Sequence, residues 1–427
     1  MEANTTASNN TAFGYFALAA NSTGVQNTAV GHTALNQNTT GEYNAAVGYR
    51  ALEDNTTGER ATAFGSFALN NSTTGDRNVA VGYNALGNNT TGQYNTAVGS
   101  YALDASTDVD RNTAIGYFAL SSNSSGTANT GVGNSALLGN TTGTGNTALG
   151  NDALNDNTTG DSNVAIGSLT LDANTTGNQN AALGKHALGG NTTGNGNTGL
   201  GHGSLYISTT GDYNTSVGWQ SMLDSTTGSY NAAFGKGSLA NVTTSDRNSG
   251  FGYEAGYWIT TGANNLCLGN QSGHTASPSG KITTGSNNVC LGNDSIANLY
   301  CADTSISSSD ARDKTDVEDF TYGLSWINEL RPVTYRWDKR TWYSDDKSVK
   351  PDGSKKRDRL HIGFLAQEAI EVEKKHGYAD KKDNFLVANQ DEDEADPSYG
   401  MKYERLVPIL VNAIKELSAK VTALEAG

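Results

Sequence analysis

The sequence predicts a mainly β protein: a parallel β-solenoid of 17-residue repeats, followed by a small α+β domain that ends in a coiled-coil helix. Three observations carry this. A marker glycine recurs every 17 residues from Gly14, Gly31 and Gly48 to Gly269, with one further copy ending at Gly292. Proline is absent from the first 277 residues, as a ladder in which almost every N–H donates to the next turn requires. From Ser309 onward charged residues become frequent, and four of the five prolines and three of the five tryptophans appear.

The repeat reads Asn-Thr-Ala-Val-Gly-x-x-Ala-Leu-x-x-Asn-Thr-Thr-Gly-x-x. It lacks runs of helix formers, and short strands separated by turns fit it better. Asn-Thr-Ala-Val supplies one strand and the Ala-Leu segment a second, with Asn-Thr-Thr-Gly at the corner, where Gly or Asn takes positive backbone angles. A second glycine, as at Gly24 and Gly41, is replaced at Val109 and Ser245. In Thr-Ala-Val the Ala and the Val face opposite sides of the sheet, and Ala-Leu likewise sends one apolar residue to each side. A second apolar face on every turn predicts contact with another copy of the chain.

Composition narrows the function. The 427 residues include 51 Gly and carry a net charge of −15, spread evenly, which argues against nucleic acid as partner. No run is long enough to span a bilayer, so membrane insertion is not expected, and the first ten residues lack the pattern of a signal peptide. Three cysteines make no disulfide framework in one chain. Cys267 and Cys290 stand at equivalent places in their repeats and read as small buried residues. No cofactor and no metal is expected.

The organisation that follows is a solenoid over residues 1–275, a last repeat with a six-residue insertion and a linker over 276–308, and a separate domain over 309–427. In that domain "TYGLSWINEL" predicts a helix, "PVTYRW" a strand, and "HIGFLAQEAIEVEKK" a strand running into a helix. Val407, Leu410, Ile414, Leu417, Val421 and Leu424 then form a seam of under three heptads.

Repeats such as "NTAVGHTAL" and "NVAIGSLTL" resemble the head repeats of trimeric autotransporter adhesins, whose parallel β-rolls associate as three chains. Residues 309–427, through "SDARDK", "LRPVTYRW", "GFLAQE" and "YERLVPILVNAIKEL", resemble the C-terminal intramolecular chaperone of endosialidases and other phage tailspikes and tail fibres. Members of that family trimerise the preceding fibre and cut themselves off through a serine-lysine pair. The resemblance implies a homotrimer, with Ser309 as nucleophile, Lys314 as base, Asp310 and Arg312 in support, and a cut after Ser308. A serine hydroxyl needs a base to take its proton, and attack on the neighbouring carbonyl gains from enforced proximity. Self-cleavage is the only catalysis expected.

The expected role is a virion tail fibre or extracellular surface fibre that meets a host glycan or protein receptor. Along a uniform repeat a slip by one turn matches almost as well as the right pairing, so the C-terminal trimeriser is expected to fix register. Tyr15, Tyr49, Tyr83, Tyr117, Trp219 and Tyr253, each following a marker glycine, form either an exposed ladder able to stack on sugars or turn aromatics packed on neighbouring turns. Trp258 lies where the repeat becomes irregular. Asn38, Asn55 and Asn174 match the N-glycosylation acceptor. Two other readings stand beside the fibre: an ice- or surface-binding solenoid using its Thr arrays, and a polysaccharide depolymerase, for which carboxylates such as Glu42, Asp76 and Asp161 are scattered rather than paired.

Overall fold

The structure is a computed structural model that describes residues 3, 5–275, 277, 279–296, 314–340, 343, 349–381, 384–390 and 399–426. The chain divides into two compact units, Met1–Ala297 and Asn298–Gly427.

In the first unit each repeat contributes one three-residue strand, from β1 (Thr11–Phe13) to β17 (Val289–Leu291). Successive strands pair in parallel and in register, beginning with Thr11, Ala12 and Phe13 opposite Thr28, Ala29 and Val30. At the other end Leu266, Cys267 and Leu268 stand opposite Val289, Cys290 and Leu291. Seventeen strands at one sheet spacing per turn give a stack of roughly 80 Å. The parallel solenoid is therefore the fold of this unit.

The Ala-Leu segment is not a second strand, and it does not send its residues to opposite sides. Ala34 and Leu35 are both fully buried, as are Ala51 and Leu52 and their equivalents along the stack. The reason lies in the backbone: Leu35 has φ +50° and Leu52 φ +53°, and a left-handed residue breaks the two-residue alternation of a strand. Holding an L-residue there costs about 1–2 kcal/mol, which burial of a Leu side chain, about 1.5–3 kcal/mol, offsets. The segment still bonds to both neighbours, with Thr33 N–H donating to Tyr15 O at 2.8 Å and Leu35 N–H to Ala51 O at 3.1 Å.

The corner chemistry also differs from expectation. Positive φ falls on the marker glycine, as at Gly201 (+127°), and on the residue before the strand's Asn, such as Tyr43 (+58°) and Arg77 (+54°), not on Asn-Thr-Thr-Gly. A Cβ at Gly201 would also lie 2.6 Å from the carbonyl oxygen of Gly218. The second glycine is required for space alone: a Cβ at Gly24 would lie 2.3 Å from Gly41 O and 2.6 Å from Asn21 Oδ1. Where Val109 and Ser245 replace that glycine, Ser106 and Val242 stand in place of the Asn.

Two files of buried asparagines run along the stack, one broken only at Ala61 and the other, from Asn21 to Asn191, interrupted by Ser72 and Ser106. In one, Asn146 Oδ1 accepts the backbone N–H of Asn163 at 2.9 Å while Asn146 Nδ2 donates to Gly160 O at 2.8 Å. In the other, Asn38 Nδ2 donates to Asn21 Oδ1 at 2.8 Å and to Gly41 O at 3.0 Å. Each amide thus satisfies polar groups of adjacent turns that the small Ala-Leu core leaves inside.

The second unit holds a helix α1 (Leu324–Glu329), a hairpin of β18 (Val333–Tyr335) with β19 (His361–Gly363), a helix α2 (Ala366–Lys375), a pair β20 (Ala388–Gln390) with β21 (Tyr399–Met401), and a helix α3 (Leu406–Glu425). Its core gathers Trp326, Leu330, Ile370, Val372, Leu406 and Ile409. The α+β reading holds, with α1 shorter than the segment that predicted it.

Candidate functional site

The serine-lysine pair is the first candidate. Ser308, Ser309, Asp310 and Arg312 lie outside the described residues. Lys314 is exposed and sits in an irregular stretch ahead of α1.

The helix that closes the chain presents the second. α3 is anchored on one side: Leu406, Ile409 and Ala413 are buried, Asn412 Nδ2 donates to Phe320 O, and Glu416 accepts the N–H of Leu324 at 3.2 Å. Its other side carries Val407, Leu410, Val411, Ile414, Leu417, Val421 and Leu424, all exposed in a single chain. A helix fixed on one face with an unbroken apolar file on the other is an assembly surface.

The domain beneath it rests on a residue that the sequence reading passed over. Glu373, on the buried side of α2, is 0% exposed, and its carboxylate accepts the N–H groups of Leu386 at 2.7 Å, Val387 at 2.8 Å and Ala388 at 2.6 Å. It ties α2 to the start of β20. The available signal was a glutamate among the apolar positions of an otherwise amphipathic helix.

In the solenoid, the middle residue of each strand points into the core and its neighbours point out. Ala29, Ala46 and Ala63 are fully buried, whereas Phe13, Phe64, Ile115, Leu149 and Leu183 are exposed. The position before the marker glycine is apolar on all seventeen turns, so one outward file runs unbroken along the sheet.

The aromatic ladder combines both alternatives raised by the sequence. Tyr15, Tyr49 and Tyr83 are exposed and also packed on neighbouring turns, while Tyr117 is exposed and packs on Phe118 of its own turn. His32, Phe67, Tyr101 and Phe118 complete a zipper with ring centroids 4.2–5.8 Å apart. The signal for the missed rings was an aromatic one place further from the marker glycine at Phe67, Tyr101 and Phe118. Further along, Lys236 Nζ sits 5.0 Å from the Trp219 ring and 5.4 Å from that of Tyr253, and Lys281 Nζ sits 3.9 Å from the Trp258 ring.

Asn38, Asn55 and Asn174 do not offer glycosylation sites in the folded chain. All three are 0% exposed, and their Nδ2 groups are spent inside the second asparagine file. Asp76 and Asp161 do structural work at the surface, accepting the N–H groups of Glu59 at 2.8 Å and Thr144 at 2.7 Å. Cys267 and Cys290 are buried and directly opposed, and the hydrogen bond between them lowers the Cys290 thiol and raises that of Cys267.

A regular parallel solenoid followed by a small domain with an exposed apolar helix face defines a fibre-type protein with an assembly domain. Residues 309–378 match the family described as chaperone of endosialidase, a family of self-cleaving intramolecular chaperones, so the C-terminal region carries a domain of that family. Such domains act in trimeric assemblies, which implies a trimeric, fibre-like protein. No curated protein and no solved structure matches the chain.

Proposed function

We propose that the solenoid is a host-attachment fibre of the phage tail-fibre kind, and that its C-terminal domain assembles three chains and then releases itself by cutting Ser308–Ser309. The observation that carries this is the family match, which begins at Ser309 where the repeats have ended. In the cut, Ser309 Oγ attacks the carbonyl carbon of Ser308 as the neutral amine of Lys314 takes the hydroxyl proton. The Ser308–Ser309 C–N bond breaks, the proton passes to the departing amine of Ser309, and water hydrolyses the resulting ester. The register is set before the cut, and the released fibre is then kinetically hard to unfold because its assembler is gone.

The exposed zipper from Tyr15 to Tyr117 and the Trp219, Tyr253 and Trp258 group are the surfaces assigned to a host glycan or protein receptor. The fibre would work on a virion or another extracellular surface. Ser309→Ala and Lys314→Ala variants on a denaturing gel test the release step: both should leave the chain whole, and a cut persisting in both would reject the pair.

One observation favours a second reading. The second Thr of each Asn-Thr-Thr, as at Thr40, Thr57, Thr142, Thr159 and Thr176, is exposed in file, as a surface- or ice-binding solenoid would require. The first Thr is not available to it, since Thr39 Oγ1 donates to Thr56 O at 2.9 Å and its equivalents do the same. Freezing hysteresis in the assembled protein would favour this reading, and its absence would remove it.

A further inference from the structure

The outward face of the sheet is not as uniform as the repeat suggests. Each turn presents two outward residues, the first and third of its strand, and the third is apolar throughout. At seven of the seventeen levels the pair is Thr with Val, Ile or Leu, as in Thr96 with Val98 and Thr113 with Ile115. Four levels carry Phe in the third place, and at two consecutive ones its partner is smaller than Thr. Ala232 stands with Phe234 and Ser249 with Phe251, so the largest side chains in the file sit beside two of the smallest. Phe234 and Phe251 are direct partners across the sheet, with rings stacked 5.1 Å apart at 6° and exposures of 38% and 40%. The level on one side is Leu266 with Leu268, large at both places, and on the other Thr215 with Val217.

We propose that Phe234 and Phe251, with Ala232 and Ser249, form a register key between parallel copies of this chain. This rests on the reading of the solenoid as a multi-chain fibre. The occupant of the face is a second copy because the file is apolar on every turn, and an object matching it must repeat at the same spacing for seventeen turns; another solenoid of this sequence does. Side by side and in register, copies meet level to level, so the rings of Phe234 and Phe251 enter the room left by Ala232 and Ser249. A slip of one turn in either direction sets the Phe251 level of one copy against Leu266 and Leu268 of the other, which overpacks it. The same slip sets Phe234 against Thr215 and Val217, and voids remain where rings should pack. The other Phe levels lack this device, because Phe13 and Phe64 stand beside Thr11 and Thr62. Register is thus written into the solenoid itself as well as being imposed by the domain that follows it.

The test uses full-length chains carrying Ser309→Ala and co-expressed in two forms, one with Val81→Cys and one with Val98→Cys, in the outward file one turn apart. After mild oxidation, in-register copies give disulfides between like positions, and copies slipped by one turn give the 81–98 heterodisulfide, counted by peptide mapping. With the native key the heterodisulfide should be a small minority. In Phe234→Val/Phe251→Val chains, and in chains whose two levels are rewritten as Thr-Ala-Val, which the fold already contains at Thr96–Val98, it should rise at least severalfold. Phe64→Val should leave it unchanged. An unchanged heterodisulfide fraction in both key variants, or an equal rise with Phe64→Val, overturns the key while the assembled mass by light scattering leaves the fibre reading standing. A monomeric mass overturns both.

Discussion

Asn55 and Ser72 occupy equivalent places in successive turns, and the buried side-chain oxygen of Asn55 has no partner because Ser72 is too short to reach it. The same gap recurs at Asn89 and Asn191, where Ser106 and Ser208 follow. Where the next turn carries Asn it supplies an amide, as Asn157 Nδ2 does to Asn140 Oδ1 at 2.8 Å. Ser72→Asn should therefore close the gap, donating to Asn55 Oδ1 and to Gly75 O, and stabilise the solenoid by about 1–2 kcal/mol. Asn157→Ala should cost about 2–3 kcal/mol by leaving buried groups unpaired on two turns. Denaturant midpoints of the two variants check this, and a destabilised Ser72→Asn chain would contradict it.

Removing Glu373 strips the acceptor from three buried N–H groups at once. Glu373→Ala should destabilise the C-terminal domain by more than about 3 kcal/mol while leaving the solenoid transition in place. Hydrogen exchange at Leu386, Val387 and Ala388 should rise sharply in the variant; unaltered protection there would show that the carboxylate is dispensable.

Burial raises the Asp104 carboxyl above the ordinary carboxylate range, while hydrogen bonds from Ser121 and Asn84 work the other way. A carboxyl whose folded pKa is raised binds its proton more tightly in the native state, so its contribution to stability falls as pH climbs from the unfolded value, about 4, through the raised one. At pH 7 the penalty is present in full. Asp104→Asn, the residue found at Asn36, Asn70 and Asn155 in equivalent places, should raise the thermal midpoint at pH 7 and change it little at pH 3. Equal shifts at both values would mean that charge is not the cause.

Ile414→Asp or Leu417→Asp places a charge on the exposed face of α3 and should block assembly without unfolding the single chain, since neither residue is buried in it. Cleavage should fall with assembly. Efficient cutting by a monomeric variant would break the link between the two.

What the sequence made legible was what depends on period and composition: a strand at Asn-Thr-Ala-Val on every turn, parallel stacking, an outward apolar file, and a separate α+β unit after the repeats. The Ala-Leu segment was misread because its left-handed leucines defeat alternation, which no pattern of apolar residues reveals. The Asn-Thr-Thr motif looked like a surface acceptor, yet Asn38 and Asn174 are interior, because their amides bond both along the stack and to the glycine carbonyl of their own corner. Glu373 escaped notice because its partners are backbone groups brought together only by folding.

The central claim is that the chain assembles through a domain that then removes itself. Intact-mass measurement of the freshly expressed protein under denaturing conditions tests it most directly. The account predicts two species, residues 1–308 and 309–427, with the new amino terminus at Ser309 and a single uncut mass in Ser309→Ala. A wild-type chain that stays at its full length of 427 residues after assembly would contradict it.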